Sequence, residues 1–260
     1  MSLREAALQA LRIADPAEKA ARVCGLCAAM DAAAVDPDAR IAEPAGIPGR
    51  PPRPLLVPAK QVPARTPFTP QGRAALLHAI AHIEFNAINL ALDAVWRFPG
   101  MPVGFYLDWL RVASEEAHHF SLLREHLQSL GFDYGDFDAH DGLWLMTQRT
   151  AHDIVARMAL VPRTLEARGL DATPPLQAKF ARAGDQRAVE ILAVILRDEV
   201  GHVAVGNRWY RWLCQRDGRD PVCLYADLAK RYDAPRPRPP FNHAARRAAG
   251  FSDEELAQLL

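Results

Sequence analysis

Apolar residues recur at three- and four-residue steps along several long stretches of the chain, the repeat that lines one face of an α-helix. Between residues 71 and 98 the stripe runs through Leu77, Ile80, Ile88, Ala91 and Val95. Between 103 and 130 it runs through Trp109, Ala113, Phe120, Leu123, Leu127 and Leu130. Between 185 and 216 it runs through Leu192, Ile195, Val203, Gly206 and Tyr210. A fourth helix is expected over 142–169, where Pro162 should kink it and Gly169 to Pro175 should end it. At the α-helical rise each stretch is roughly 40 Å long, enough for a bundle with a central site.

Acidic residues interrupt these stripes at regular places. Glu84, Glu116 and Glu199 fall on the apolar lines, and Glu166 lies on the fourth helix. A buried ionised carboxylate is costly unless it is paired or coordinates a metal, and no arginine occupies these stripes. Glu116 and Glu199 each begin a Glu-x-x-His pair, with His119 and His202, and residues three apart share a helix face. Random placement of 12 glutamates and 9 histidines would give about 0.4 such pairs, where three occur. The third, Glu115/His118, aligns with Arg111 and Glu125 on a mostly polar row, so His118 is expected in solvent.

The intervals repeat as well. Glu84 precedes Glu116 by 32 positions and Glu166 precedes Glu199 by 33, which predicts two similar helical hairpins. The first interval is centred on Phe98-Pro-Gly-Met-Pro-Val-Gly104, a natural helix stop and restart. Four glutamates and two histidines make a complete ligand set for two ions.

The order Glu, Glu-x-x-His, Glu, Glu-x-x-His resembles the ferritin-like superfamily, whose diiron carboxylate members carry it on four helices. The likeness runs from about Gln71 to Gln215. The wording of Glu-Glu-Ala-His-His-Phe (115–120), Leu-Glu-Ala-Arg-Gly-Leu-Asp (165–171) and Asp-Glu-Val-Gly-His-Val (198–203) is most similar to a bacterial ferritin-like branch, the domain of unknown function 455 family. The resemblance implies an all-α ferritin-like four-helix bundle, with metal ligands Glu84, Glu116, His119, Glu166, Glu199 and His202, and with Glu116 and Glu199 as bridges. It also implies two metal ions, iron foremost, with manganese or a mixed pair as alternatives. A tRNA-modifying diiron monooxygenase is a relative within the superfamily.

Each Glu-x-x-His follows another acid, Glu115 or Asp198. Metal-bound histidines commonly donate their second ring N–H to a carboxylate, so Asp198 is expected to hold His119 and Glu115 to hold His202. His78 and His82 are read as structural, His152 as a core or crossover histidine, and Tyr134 and His140 as candidates for lining an entrance. Gly201 and Gly206 weaken the last long helix, which calls for a close neighbour or a bulge beside them.

Three domains of the chain follow from these patterns. Residues 1–70 hold two helical pieces, divided near Asp15-Pro16, and then a proline-rich arm from Asp36 to Pro70, which Leu55-Leu56-Val57 should dock onto the bundle. Residues 71–216 form the bundle. Residues 217–260 are an extension in which Tyr225 to Tyr232 is helical, Pro235 to Pro240 is extended and Ser252-x-x-Glu255 has the form of a capping box.

Composition adds constraints rather than identity. The chain is 50% hydrophobic and 24% charged with a net charge of zero, so nothing in its charge favours nucleic acid or a membrane surface. No apolar run suggests a transmembrane span and the charged N-terminus is unlike a secretory signal, which leads to the expectation of a cytoplasmic protein. The Cys24-Gly-Leu-Cys27 pair lacks a second half of matching spacing and is read as small buried hydrophobes on a helix. The leading functional expectation is an oxygen-activating oxidoreductase of unidentified substrate. Iron storage or metal buffering, and a helical scaffold without catalysis, are the competing readings. Homodimerisation is left open.

Overall fold

The computed structural model describes residues 1–63 and 65–259; Ala64 of the arm and Leu260 of the C-terminal segment lie outside the described residues. The described chain is all-helical, and its one β-type pairing is an isolated bridge between Leu56 and Ala139. It divides into two compact units, Met1–Trp144 and Leu145–Leu260.

In the first unit, α1 (Leu3–Arg12) and α2 (Pro16–Ala28) pack beside the long helices α3 (Pro70–Arg97) and α4 (Val103–Ser129). Asp15 ends the first piece and caps the second, accepting from the Glu18 N–H at 2.8 Å, with Pro16 in the first turn where its missing N–H costs nothing. Helix α3 starts on the Thr69 cap and Pro70. Gly100, at φ 78°, turns the chain into α4. The Tyr106 hydroxyl fixes that corner by donating to the Phe98 carbonyl at 2.8 Å while the Met101 N–H donates to it. By length and hydropathy α3 could cross a membrane, but 78% of its most apolar window is buried inside the fold.

The arm is held by buried cations, not by its leucines. Leu55 and Leu56 are 51% and 42% exposed, so the expected docking through Leu55-Leu56-Val57 does not occur; the segment joins by backbone, Val57 N–H to the Ala139 carbonyl and Ala139 N–H to the Leu55 carbonyl. Arg4 donates to the carbonyls of Asp36, Pro37 and Ala39 on the arm and of Val95 and Trp96 on α3. Lys19 donates to the Gly49 carbonyl at 2.8 Å and to Asn89 Oδ1, over the Phe85 ring. Gly49 lies so close to the end of α1 that a Cβ there would collide with the Arg12 carbonyl. Burial drives the Lys19 ammonium down to about 7, and the nearby Arg50 adds to the shift.

The third predicted long helix is not continuous. It consists of α5 (Gly142–Arg149), α6 (Ile154–Leu160), a π-helical turn over Val161–Glu166 and α7 (Ala167–Arg182), with the unit boundary inside α5. His152 sits in the gap before α6 and is exposed, beside Tyr232, rather than in a core. Pro162 perturbs the helix as expected, by widening one turn. The helix does not end near Gly169: α7 runs through Pro174 and Pro175. Pro174 cannot donate to the Leu170 carbonyl, and Asn242 Nδ2 takes that role at 3.2 Å.

Helix α8 (Gln186–Arg216) pairs with α7 and with the π turn. A Cβ on Gly206 would meet the Pro162 ring at 2.6 Å, which explains that glycine; Gly201 has nothing near it. Beyond lie α9 (Pro221–Arg231), α10 (His243–Ala248), which the sequence pattern did not reveal, and α11 (Asp253–Ala257), started by the capping box of Ser252 and Glu255.

Candidate metal centre

In the first unit the α3–α4 hairpin brings Glu84, Glu116 and His119 together. All three are buried, at 3%, 0% and 0% exposure. His119 Nδ1 lies 3.3 Å from Glu84 Oε2 and 3.3 Å from Glu116 Oε2. The three offer ligand atoms that all lie within 4.8 Å of one another, close enough to share one cation. His118, next in line, points to solvent as its polar row predicts.

Protonation follows from this packing. Burial raises the Glu84 carboxyl well above the usual range, and the neighbouring Glu116 carboxylate raises it further. Burial alone would lower His119, but its hydrogen bonds to Glu116 and Glu84 outweigh that and push it up to about 11. Without a cation, both shifts keep protons on the buried triad.

Aromatic and amide side chains close to the triad in sequence form a cluster of their own. Phe85 and Phe120, each next in sequence to a triad member, pack with Tyr134 at ring centroid distances of 5.4 and 5.1 Å. Tyr134 is therefore part of a packed cluster. Its hydroxyl lies 2.8 Å from His82 Nδ1, and His82 Nε2 lies 2.9 Å from Asn86 Nδ2. Burial, with Arg50 nearby, lowers His82 to about 3, and burial chiefly lowers His78 to about 4, so both rings are neutral at physiological pH. The structural reading of both histidines fits. His140 is exposed and accepts from the Gly142 N–H. The Tyr134–His82–Asn86 chain was not anticipated; the four-residue step from His82 to Asn86 was its only trace in the sequence.

The second unit carries the other three residues. Glu199 and His202 share the buried face of α8, with His202 Nδ1 3.8 Å from Glu199 Oε1. Glu166 is buried at the end of the π turn. Gly169 on α7 lies against Glu199, whose carboxyl carbon would be 3.9 Å from a Cβ there. Each unit thus buries two of the four expected ligand glutamates and one of the two expected ligand histidines. Asp198 forms an ion pair with Arg197 on its own helix, and Glu115 is half-buried on α4. Buried carboxylates with imidazoles and no thiolate are a donor set suited to hard or borderline divalent cations.

A Haemophilus influenzae protein described as an uncharacterized protein is 56% identical over 213 residues, covering 79% of this chain and 74% of its own. No solved structure matches the chain. A family model described as "Protein of unknown function (DUF455)" matches residues 12–257, and the chain belongs to that family.

Proposed function

We propose that the chain is a dimetal carboxylate protein of ferritin-like type, in which Glu84, Glu116, His119, Glu166, Glu199 and His202 hold two ions, and that it acts as an oxygen-activating oxidoreductase in the cytoplasm. The observation that carries the reading is the buried gathering of Glu84, Glu116 and His119 within 4.8 Å. Its repetition in kind by Glu166, Glu199 and His202 on a second helical pair supports two ions rather than one. Oxygen-rich donors with one imidazole per ion favour iron or manganese.

Bound iron would supply the electrons and the coordination positions that dioxygen requires. The chain's own contribution is threefold. Glu84 and His119 Nδ1 hold protons in the absence of a cation and give them up as it binds, because a cation restores the advantage of the ionised carboxylate and the neutral imidazole. The packing of α3 against α4 keeps water from the first triad, whose members are 0–3% exposed. The π turn aims Glu166, since one extra residue rotates every side chain after it about the helix axis.

The decisive experiment is elemental analysis of protein isolated from its own cells, followed by anaerobic reduction and exposure to oxygen under an absorption spectrometer. About two iron or manganese ions per chain are expected, with a spectral change on oxygen exposure. Metal that persists after Glu116→Ala and Glu199→Ala together would sink the site. A bound metal pair inert to oxygen would leave the site standing and remove the oxidoreductase.

A further inference from the structure

The second unit contains a cavity of about 530 Å³, within the size range of small-molecule sites. One wall is a face of α9 in which Val222, Tyr225, Ala226 and Ala229 recur at helical spacing; the alanines leave the space open. Arg163 and Thr164 form the floor, and they belong to the same π turn that ends at Glu166.

The cavity's charge is unbalanced. Arg163, Arg236 and Arg246 line it against the single carboxylate of Glu255. Glu255 is itself divided, bonding Arg163 Nη2 and Arg211 Nη2 at 2.7 Å each. Arg246 is satisfied by Asp171 through two bonds. Arg163 is not: it is 4% exposed, and its Nε–H has no hydrogen-bond partner. Its guanidinium is caged by the rings of Tyr210, Tyr225 and Phe251, at 4.9 to 5.0 Å. That Nε is closed off from the cavity, and Nη1 and Nη2 are taken by Asn207 and Glu255, so Arg163 acts on the cavity through its charge and not through a free donor. Arg236 stands exposed at the rim.

We propose that this cavity binds a small organic acid with a flat apolar body. Its carboxylate is taken by the exposed Arg236, whose forked donors suit a planar anion, with the buried charge of Arg163 behind it, and its body lies against Tyr225, Phe251 and the alanine face of α9. The site is independent of the metal reading, because none of its contacts involves Glu84, Glu116, His119, Glu166, Glu199 or His202.

Fluorine NMR of the full chain with para-trifluoromethylbenzoate, and with the matching neutral benzamide, tests this. The expected result is saturable broadening by the acid, with the amide weaker by about tenfold or more. Ala229→Phe should fill the cavity and abolish binding with every charge kept. Arg236→Ala, at an exposed position that cannot endanger the fold, should weaken the acid by about tenfold and leave the amide unchanged. The proposal is overturned if neither probe binds, if acid and amide bind alike, or if Arg236→Ala leaves the acid's affinity intact. Running the titration with and without added iron separates the two sites, since loss of metal should leave acid binding unaltered.

Discussion

At the scale of single residues, position on a helix face decides chemistry. His118 and His119 are adjacent, yet one is exposed and the other fully buried against two carboxylates. His118→Ala should therefore leave metal content unchanged, whereas His119→Ala and Glu116→Ala should each empty at least one position, read by elemental analysis of the purified variants. The pH dependence has a definite sign. His119 is raised to about 11 and Glu84 is raised well above its ordinary range, so in the metal-free protein both contribute stability that is complete at low pH. That contribution is lost as pH rises through the raised values, and apo melting temperatures should fall toward alkaline pH. Metal uptake near neutrality should release protons from this triad, measurable as a buffer-dependent binding enthalpy, and affinity should rise with pH. A buffer-independent enthalpy would mean that neither group carries a proton to lose.

At the scale of elements, the irregular helix is the informative one. The π turn, Pro162 and Gly206 form one unit of packing: the proline ring occupies the space where a side chain on α8 would be. Gly206→Ala should cost about 1–3 kcal/mol through that collision. Gly201→Ala, on the same helix with nothing nearby, should add about 0.5–1 kcal/mol by removing a glycine's backbone entropy. Denaturant melts of the two variants side by side check the pair, and equal effects would mean that Pro162 does not pack as described.

At the scale of the whole molecule, the proline-rich arm is tied down by charge buried inside the first unit. Arg4 satisfies carbonyls on both the arm and α3, and Lys19 links the arm to Asn89. Arg4→Leu should cost on the order of 3 kcal/mol by leaving those carbonyls unsatisfied. It should also open residues 36–54 to limited proteolysis while the α3–α4 hairpin stays resistant. Cleavage no faster than in the parent would show that the arm is held by something other than these bonds.

The long regular helices and the burial of Glu84, Glu116 and Glu199 are legible in the sequence, whereas the buried Asp93 of α3, paired with Arg97, is not. Apolar periodicity in α3, α4 and α8 is unbroken, so a single frame places Glu84, Glu116 and Glu199, and it separates His119 from His118. Local signals sufficed where the cause was local, as with the Asp15 and Ser252 caps and the turn at Gly100. The rest depends on contacts between distant parts of the chain. The π turn and the passage of α7 through Pro174-Pro175 depend on Gly206 and Asn242, partners 44 and 68 positions further along the chain, which no window of local sequence contains. The arm's attachment depends on Arg4 and Lys19 turning inward, where residue type alone puts arginine and lysine in water. The Arg163 cavity exists because alanines on one helix face an arginine on another, a juxtaposition that folding creates and that no spacing along the chain records.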